Sequence, residues 1–266
     1  AFYAVGGTLA ALLSTRWSAL GATADGGFPI PSFLLELVLG GLLAGVLALL
    51  VGRLVLRLRG IYLAIATIAL VEIVRVAILN LSFTGGAIGI FSIPQPFPDA
   101  SGYLVTALAL RALAGWLCQR LETMPLGRAM AAIRDDELAA GCMGIDTTRV
   151  KLTAFVLSAV VAGSSGVMAA HFLNTWNARQ GSFDVSVTFL AFVILGGSRT
   201  WLGPVLGGLV LTALPELLRP VGDVRLVLFG LVILLGPSLF PQGLISPALL
   251  ERLGRLGERH QREPQP

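Results

Sequence analysis

Lysine is almost missing from this sequence: Lys151 is the single one among 266 residues. Charge of either sign is scarce, at 13% where soluble domains carry roughly a quarter. Cysteine is limited to Cys118 and Cys142, and histidine to His171 and His260. Each shortage excludes something. Without a GxxxxGK[ST] string the chain has no P-loop to hold ATP. Two distant histidines and two unpaired cysteines do not make a zinc site, and two cysteines with no CxxC spacing do not make a disulfide framework. The net charge of +4 comes from arginines spread over short connecting stretches and the C-terminal tail, a membrane-topology pattern and not a nucleic-acid patch. No bound cofactor, metal or catalytic residue is expected.

What is plentiful is apolar sequence, 55% of the chain, with a mean hydropathy of +0.84. Several runs approach 20 residues, the length that crosses a bilayer as a helix. Lipid offers no partner to backbone N–H and C=O groups, so spans must be helices or a closed barrel. The runs are continuous and do not alternate, which selects helices. The expected fold is an all-α polytopic membrane protein, a helical bundle with broken or re-entrant segments. Spans are expected at 32–52, 61–81, 102–118, 151–172 and 224–240. The stretch 185–218 is long enough for two short spans or a re-entrant pair, broken at "GGSRTWLGP". Gly196, Gly197 and Gly203 permit a tight turn there, and Pro204 suits a helix start. The opening "AFYAVGGTLAALLS" is too short to span and lacks an initiator methionine. We therefore expect it to lie within the first segments of a longer protein, with residues 1–245 as one membrane domain and 246–266 as a polar tail.

Arginine counting orients the spans. Arg53, Arg57 and Arg59 mark one side as cytoplasmic. Crossing out and back brings residues 119–150 to that side, and further crossings bring Arg199 and the tail's Arg252, Arg255, Arg259 and Arg262 there too. Arg16, Arg179, Arg219 and Arg225 fall outside, so the rule is followed but not cleanly. Both cysteines are expected as free thiols.

Within the spans, Gly40, Ala44, Ala48 and Gly52 recur every fourth residue and make a smooth face for close helix approach. Glu72 and Arg75 stand one turn apart and can face each other. Charges at membrane depth are costly and usually face an interior or a water-filled cavity. Two readings of this pair stand side by side, the lining of a translocation path and a self-neutralising pair that fixes helix orientation. Arg111 and Glu36 are expected at the membrane interface. "GSSG" at Gly163–Gly166 matches the GxSG of intramembrane serine proteases, but His171 is on the same helix and His260 in the tail, whereas the histidine must reach the serine from another helix. Ala162, Gly166 and Ala170 read better as a packing face.

The one strongly charged stretch is "GRAMAAIRDDELAAGCMGID". Asp135 suits an N-cap, with Asp136 and Glu137 complementing the helix dipole. "ELAAGCM" is then a short helix from 136 to 143, which Gly144 can end in a left-handed turn. Ala139, Ala140 and Gly141 offer a small-residue surface to a partner's groove, and a bulky residue at Ala140 is expected to block seating. An ordinary solvated interfacial helix remains the alternative.

This stretch, continued through "TTRVKLTAFVLSA", resembles the cytoplasmic loop and following helix of the M-type permease subunits of branched-chain amino-acid ABC importers. "LRLRGIYLAIATIALVEIVR", "TGGAIGI" at Thr84–Ile90, "VILGGSRTWLGPVLGG" and "FPQGL" are similar to further motifs of that family, in the same order. The resemblance covers nearly the whole chain, although the family's earliest helices are missing from its start. It implies a permease subunit of an ATP-driven importer in a bacterial inner membrane. Two ATPase subunits would hold ATP and Mg, a second permease subunit would complete a heterodimer, and a periplasmic binding protein would deliver the substrate. Carried over, Arg134, Asp135, Asp136, Glu137, Ala139, Ala140 and Gly144 form the element that couples to the ATPase. Glu72, Arg75, Thr84, Gly85 and Gly86 are candidates for the path lining. The same scaffold with urea, sugars or nucleosides as cargo stays open. So does a self-contained ion- or proton-coupled carrier, in which Glu72 and Arg75 would be the coupling site.

Overall fold

The computed structural model describes residues 1–16, 28–58, 60–197, 203–217, 230, 231, 234 and 235. Its helices in chain order are α1 (Phe2–Arg16), α2 (Ile30–Val55), α3 (Ile61–Asn80), α4 (Ala100–Thr123), α5 (Pro125–Asp135), α6 (Glu137–Cys142), α7 (Thr147–Leu173), α8 (Phe183–Gly196) and α9 (Gly203–Leu217). Among the described residues, α2, α3, α4 and α7 are long and apolar enough to cross a membrane. The strands among the described residues are β1 (Ile90–Phe91) and β2 (Thr175–Trp176), paired antiparallel with Ile90 opposite Trp176. The architecture is the all-α, polytopic membrane fold expected. α4 and α7 outrun the apolar windows 102–118 and 151–172 at both ends. Good helix formers such as Gln119, Arg120 and Glu122 carry α4 onward, so propensity and capping, not hydropathy, set those ends. The expected span 224–240 lies outside the described residues except for four helical positions. Arg199, the "FPQGL" motif and the tail 246–266 lie outside them entirely.

The chain forms two compact units, residues 1–183 and 184–266. In the first, α1, α2 and α7 make the core. α2 and α7 run antiparallel, because Gly40 meets Val167 while Gly52 meets Leu152 and Phe155. α1 runs parallel to α7, with Phe2 edge-on to Phe155 and Ala10 and Ala11 packed with Val167 and Ala170. The stripe Gly40, Ala44, Ala48 and Gly52 is buried throughout, in its expected packing role. The partner face on α7 is equally small. A Cβ at Gly163 would stand 2.6 Å from the Ala44 methyl and from the Gly40 carbonyl oxygen, and one at Gly6 or Gly166 would run into the backbone of Gly163 or Tyr3. Lipid tails are as apolar as leucine, so the helices associate through such close backbone contact. α3 joins this core through Leu70, Val74 and Ile78, which pack with Ala4, Phe2, Val5, Leu47 and Val51.

The "GSSG" string belongs to this packing face. Ser164 Oγ donates to the Leu37 carbonyl at 3.0 Å and Ser165 Oγ to that of Val161 at 2.8 Å. Both serines are spent on backbone carbonyls, and His171 is engaged elsewhere, so no nucleophile–base pair forms among the described residues.

In the second unit α8 and α9 form a helical hairpin held by Ala191, Leu195 and Leu211. Gly196 and Gly203 touch through their backbones, and Gly197 takes a φ of +107° that favours glycine. At 1.5 Å per residue, helices of 14 and 15 residues reach about 21–23 Å, short of a hydrocarbon core about 30 Å thick.

Replacing Gly163 by valine is expected to cost about 3 kcal/mol by overpacking against rigid backbone, read as earlier denaturant unfolding in detergent. A change below about 0.5 kcal/mol, the range of neutral surface substitutions, would show that α1, α2 and α7 do not depend on this contact.

Candidate functional site

The loop between the third and fourth long helices is built of short, ordered pieces. α4 stops at Met124, and Pro125 begins α5, where its missing N–H costs nothing. A Cβ at Gly127 would strike the Leu121 carbonyl, so the chain can fold back tightly only with glycine there. α5 continues through Asp135. The cap of α6 is therefore Asp136 and not Asp135: with φ −154° it is extended, and its Oδ1 accepts from Leu138 N at 2.8 Å and Ala139 N at 3.0 Å. Sequence alone cannot choose between adjacent aspartates. The choice falls to Asp136 because its N–H still donates to the Ala132 carbonyl at 3.0 Å, keeping Asp135 inside the preceding helix. Asp135 instead lies 3.6 Å from Arg134 in an exposed pair.

α6 ends as its glycine suggests. Gly144 has φ +84° and empty space around its Cβ position, so backbone conformation, not crowding, selects glycine there. Ile145 N closes the turn on the Ala140 carbonyl at 3.2 Å. Asp146 then caps α7 by accepting from Arg149 N at 3.1 Å. Ala140 is turned inward, 4% exposed, so it cannot offer surface to a partner, and a bulky residue there would disturb the loop's own packing. Exposed instead are Leu138 at 68% and Met143 at 83%, together with Ala139. Glu137 Oε2 lies 2.5 Å from Lys151 Nζ, joining α6 to α7. Arg134, Asp135, Asp136, Glu137, Ala139, Ala140 and Gly144 thus share one compact loop. Cys118 and Cys142 are free and exposed.

The other candidate residues lie on α3 and after it. Arg75 Nε donates to both Glu72 oxygens, at 3.1 and 2.9 Å, and Nη2 adds a contact to Oε1. Glu72 points away from the Leu70, Val74 and Ile78 face, and both side chains stay partly exposed on this chain. Past α3, buried Thr84 donates to the carbonyls of Leu81 and Ile78. Gly85 and Gly86 follow at φ +76° and +59°. A Cβ at Gly85 would overlap the Gly89 carbonyl, and Gly89 itself lies against Trp176 and Asn177. This loop is a tight knot fastened to the end of α7, separate in sequence and in packing from the charged loop.

Sequence reasoning missed the most buried polar pair among the described residues. Glu36, expected at an interface, is fully buried, and its Oε2 lies 2.7 Å from Nε2 of equally buried His171. His171 Nδ1 sits 2.7 Å from the Pro94 carbonyl. A carbonyl only accepts, so Nδ1 carries a proton, and Nε2 and the carboxylate meet across a second one. Phe28 and Phe33 flank the imidazole at 5.2 Å. Tyr103 Oη donates to the His171 carbonyl at 3.3 Å, and Trp176 Nε1 to Thr8 Oγ1 at 3.1 Å. Together these tie the 92–97 segment and α4 to one end of the core. The available signal was one acid and one histidine, each alone on an apolar helix. Arg111 likewise lies half-buried at the middle of α4 and not at an end.

Removing one partner of a buried pair leaves the other without compensation, typically at about 3–5 kcal/mol. Glu36→Ala is expected to lower stability in detergent by that order, and Glu36→Leu with His171→Phe by less than Glu36→Ala alone. Equal losses in the single and double variants would mean that the pair contributes packing and not electrostatics.

Residues 1–236 match the family model of the branched-chain amino acid transport system / permease component. The chain is 35% identical to the high-affinity branched-chain amino acid transport system permease protein LivM of Salmonella typhimurium, over 92% of this chain and 62% of that protein. It is 34% identical to Escherichia coli LivM over the same shares. It is also 35% identical to E. coli LivH, a permease protein of the same kind of system, over 41% of this chain and 34% of that one. The chain thus spans about three-fifths of the length of the LivM relatives it matches. No solved structure matches it. With four long apolar helices among the described residues and a family match over most of its length, the chain belongs to the permease components of branched-chain amino acid transport systems.

Proposed function

We propose that the chain is the membrane-embedded part of a permease subunit in an ATP-driven importer for branched-chain or similar amino acids. Residues 1–245 serve as its membrane domain and 246–266 as a cytoplasmic tail. It works beside a second permease subunit, and the partial likeness to LivH suits a related but distinct partner. ATP and Mg belong to two ATPase subunits on the cytoplasmic side of a bacterial inner membrane, and a periplasmic protein presents the substrate.

The observation that carries this reading is the build of the loop 119–150. A floppy connection would need neither the Asp136 cap nor the left-handed Gly144, yet both shape α6 at the end of the bundle. α6 then leaves Leu138 and Met143 uncovered beside charged Arg134, Asp135 and Asp146. An apolar centre with a polar rim is how protein interfaces are arranged, and here it suits a seat on the ATPase. The small side chain of Ala139 lets that seat come close, while inward Ala140 holds α6 to its own chain.

On the opposite end, Thr84, Gly85 and Gly86 form a tight turn that Gly89 fastens to Trp176 and Asn177. Glu72 and Arg75 face away from this chain's own core, and charges at membrane depth need water or protein around them. A path between this subunit and its partner would supply both. Such a path fits an ABC permease better than a self-contained carrier, because the two charges of the pair close on each other within one turn of α3.

The test uses the full-length protein in membranes with its ATPase. Leu138→Asp combined with Met143→Asp should leave insertion unchanged, since both side chains are exposed outside the long helices. Capture of the ATPase should fall at least about tenfold, the cost of losing one interface anchor, and ATP-driven uptake should fall with it. Undiminished capture and uptake would return α6 to an ordinary interfacial helix.

A further inference from the structure

α6 is six residues long, far too short to hold a position by its own helical stability. What it does when pushed depends on how it is tied to the long helices. The covalent tie to α7 is the four-residue link 143–146, which contains Gly144 in a left-handed turn. A link of that kind can bend and absorb a displacement. The second tie is the ion pair of Glu137 with Lys151, 2.5 Å apart and only about 30% and 27% exposed. Two other ion pairs of the loop are far more open: Arg134 and Asp135 are 77% and 75% exposed, Arg149 and Asp146 86% and 51%. Sheltered pairs are screened less by water and salt than open ones, so the Glu137–Lys151 pair holds where the others merely decorate. It also uses the single lysine of the chain.

Lys151 stands in the second turn of α7, which continues for 27 residues, or about 40 Å at 1.5 Å per residue. Along that length α7 is pressed against α1 and α2. Its far end is pinned by His171 to Glu36 of α2 and to the Pro94 carbonyl. A motion delivered to the start of α7 therefore reaches the helices of the core and the loop that covers them.

We propose that Lys151 is a positioning residue for energy coupling: its pair with Glu137 locks α6 to α7, so that movement of α6 by the ATPase passes to α7 and is not lost in the 143–146 link. This rests on the reading of α6 as the docking element. It also gives Glu137 a partner within the chain, leaving Leu138 and Met143 as the side chains that meet the ATPase.

The experiment uses the complete reconstituted transporter with full-length subunits and measures ATPase association, ATP hydrolysis and substrate moved per ATP. Lys151→Met keeps the aliphatic stem and removes the charge. It should assemble and hydrolyse ATP within about twofold of wild type while substrate moved per ATP falls roughly tenfold, a coupling change of ordinary size. Lys151→Arg should keep the wild-type ratio, and the exchange of Glu137→Lys with Lys151→Glu should recover most of it. An unchanged ratio in Lys151→Met overturns the proposal, as does an exchange variant no better than Lys151→Met. So does a Lys151→Met protein whose ATPase association falls as far as its uptake, because the pair would then act in docking and not in transmission. A Met143→Cys crosslink to the ATPase, in a complex whose exposed Cys118 and Cys142 are replaced by serine, separates the two ideas. No crosslink removes the docking reading and the proposal with it. A crosslink together with unchanged coupling in Lys151→Met removes the proposal alone.

Discussion

Everything in the first unit depends on three backbones coming unusually close. α1, α2 and α7 meet where Gly6, Gly40, Gly163 and Gly166 leave no side chain between them. In water such helices could be driven together by burying leucine. In lipid that gain disappears, and shape must supply the attraction. Leu34, Leu42, Leu50 and Leu54 of α2 accordingly point outward, all more than half exposed, while Gly40, Ala44, Ala48 and Gly52 point in. The inversion of the soluble pattern follows from the solvent.

Close approach then makes polar groups possible in the core. Ser164 reaches the Leu37 carbonyl, Trp176 reaches Thr8, and His171 reaches Glu36 because nothing bulky separates the helices that carry them. A buried polar group without a partner is costly, so these bonds also fix the sliding register that small residues alone would leave loose. One oxygen, Glu36 Oε1, has no hydrogen-bond partner among the described residues. The register is thus set by a pair that is not fully satisfied, at the same end where the Gly85–Gly89 knot is fastened to Trp176.

What could be read from the sequence was local. The long apolar runs marked α2, α3, α4 and α7, the four-residue stripe marked the packing face of α2, and glycines marked the break after α8 and the turn after α6. Each is a signal carried by neighbouring residues. The miss at Asp135 was a matter of one position, since adjacent aspartates carry the same capping chemistry and only the extent of α5 separates them. The inward turn of Ala140 depends on the packing of the whole loop, which a six-residue pattern does not contain. The Glu36–His171 pair was out of reach for a stronger reason. Its members are 135 positions apart, and a single acid on an apolar helix reads as interfacial until its partner is known. The stretch from Arg134 to Gly144 was therefore legible as a short capped element, but which of its side chains turn outward was not.

Three ion pairs among the described residues stand in different settings, and the settings differ in what a pair can do there. On the outer face of α3, Glu72 and Arg75 close on each other within one turn, which neutralises the helix without tying it to any other. In the core, Glu36 and His171 join two helices that are already packed, so the pair adds register to a contact made by glycine. Between α6 and α7, Glu137 and Lys151 bridge two pieces whose covalent link is the four-residue turn 143–146. The mechanical consequence of a pair scales with how much freedom it removes. α3 loses none, and α2 and α7 had little left to lose. The short helix α6, joined to α7 through a four-residue turn with glycine at its hinge, loses most, and that is where a single lysine has the greatest leverage on motion.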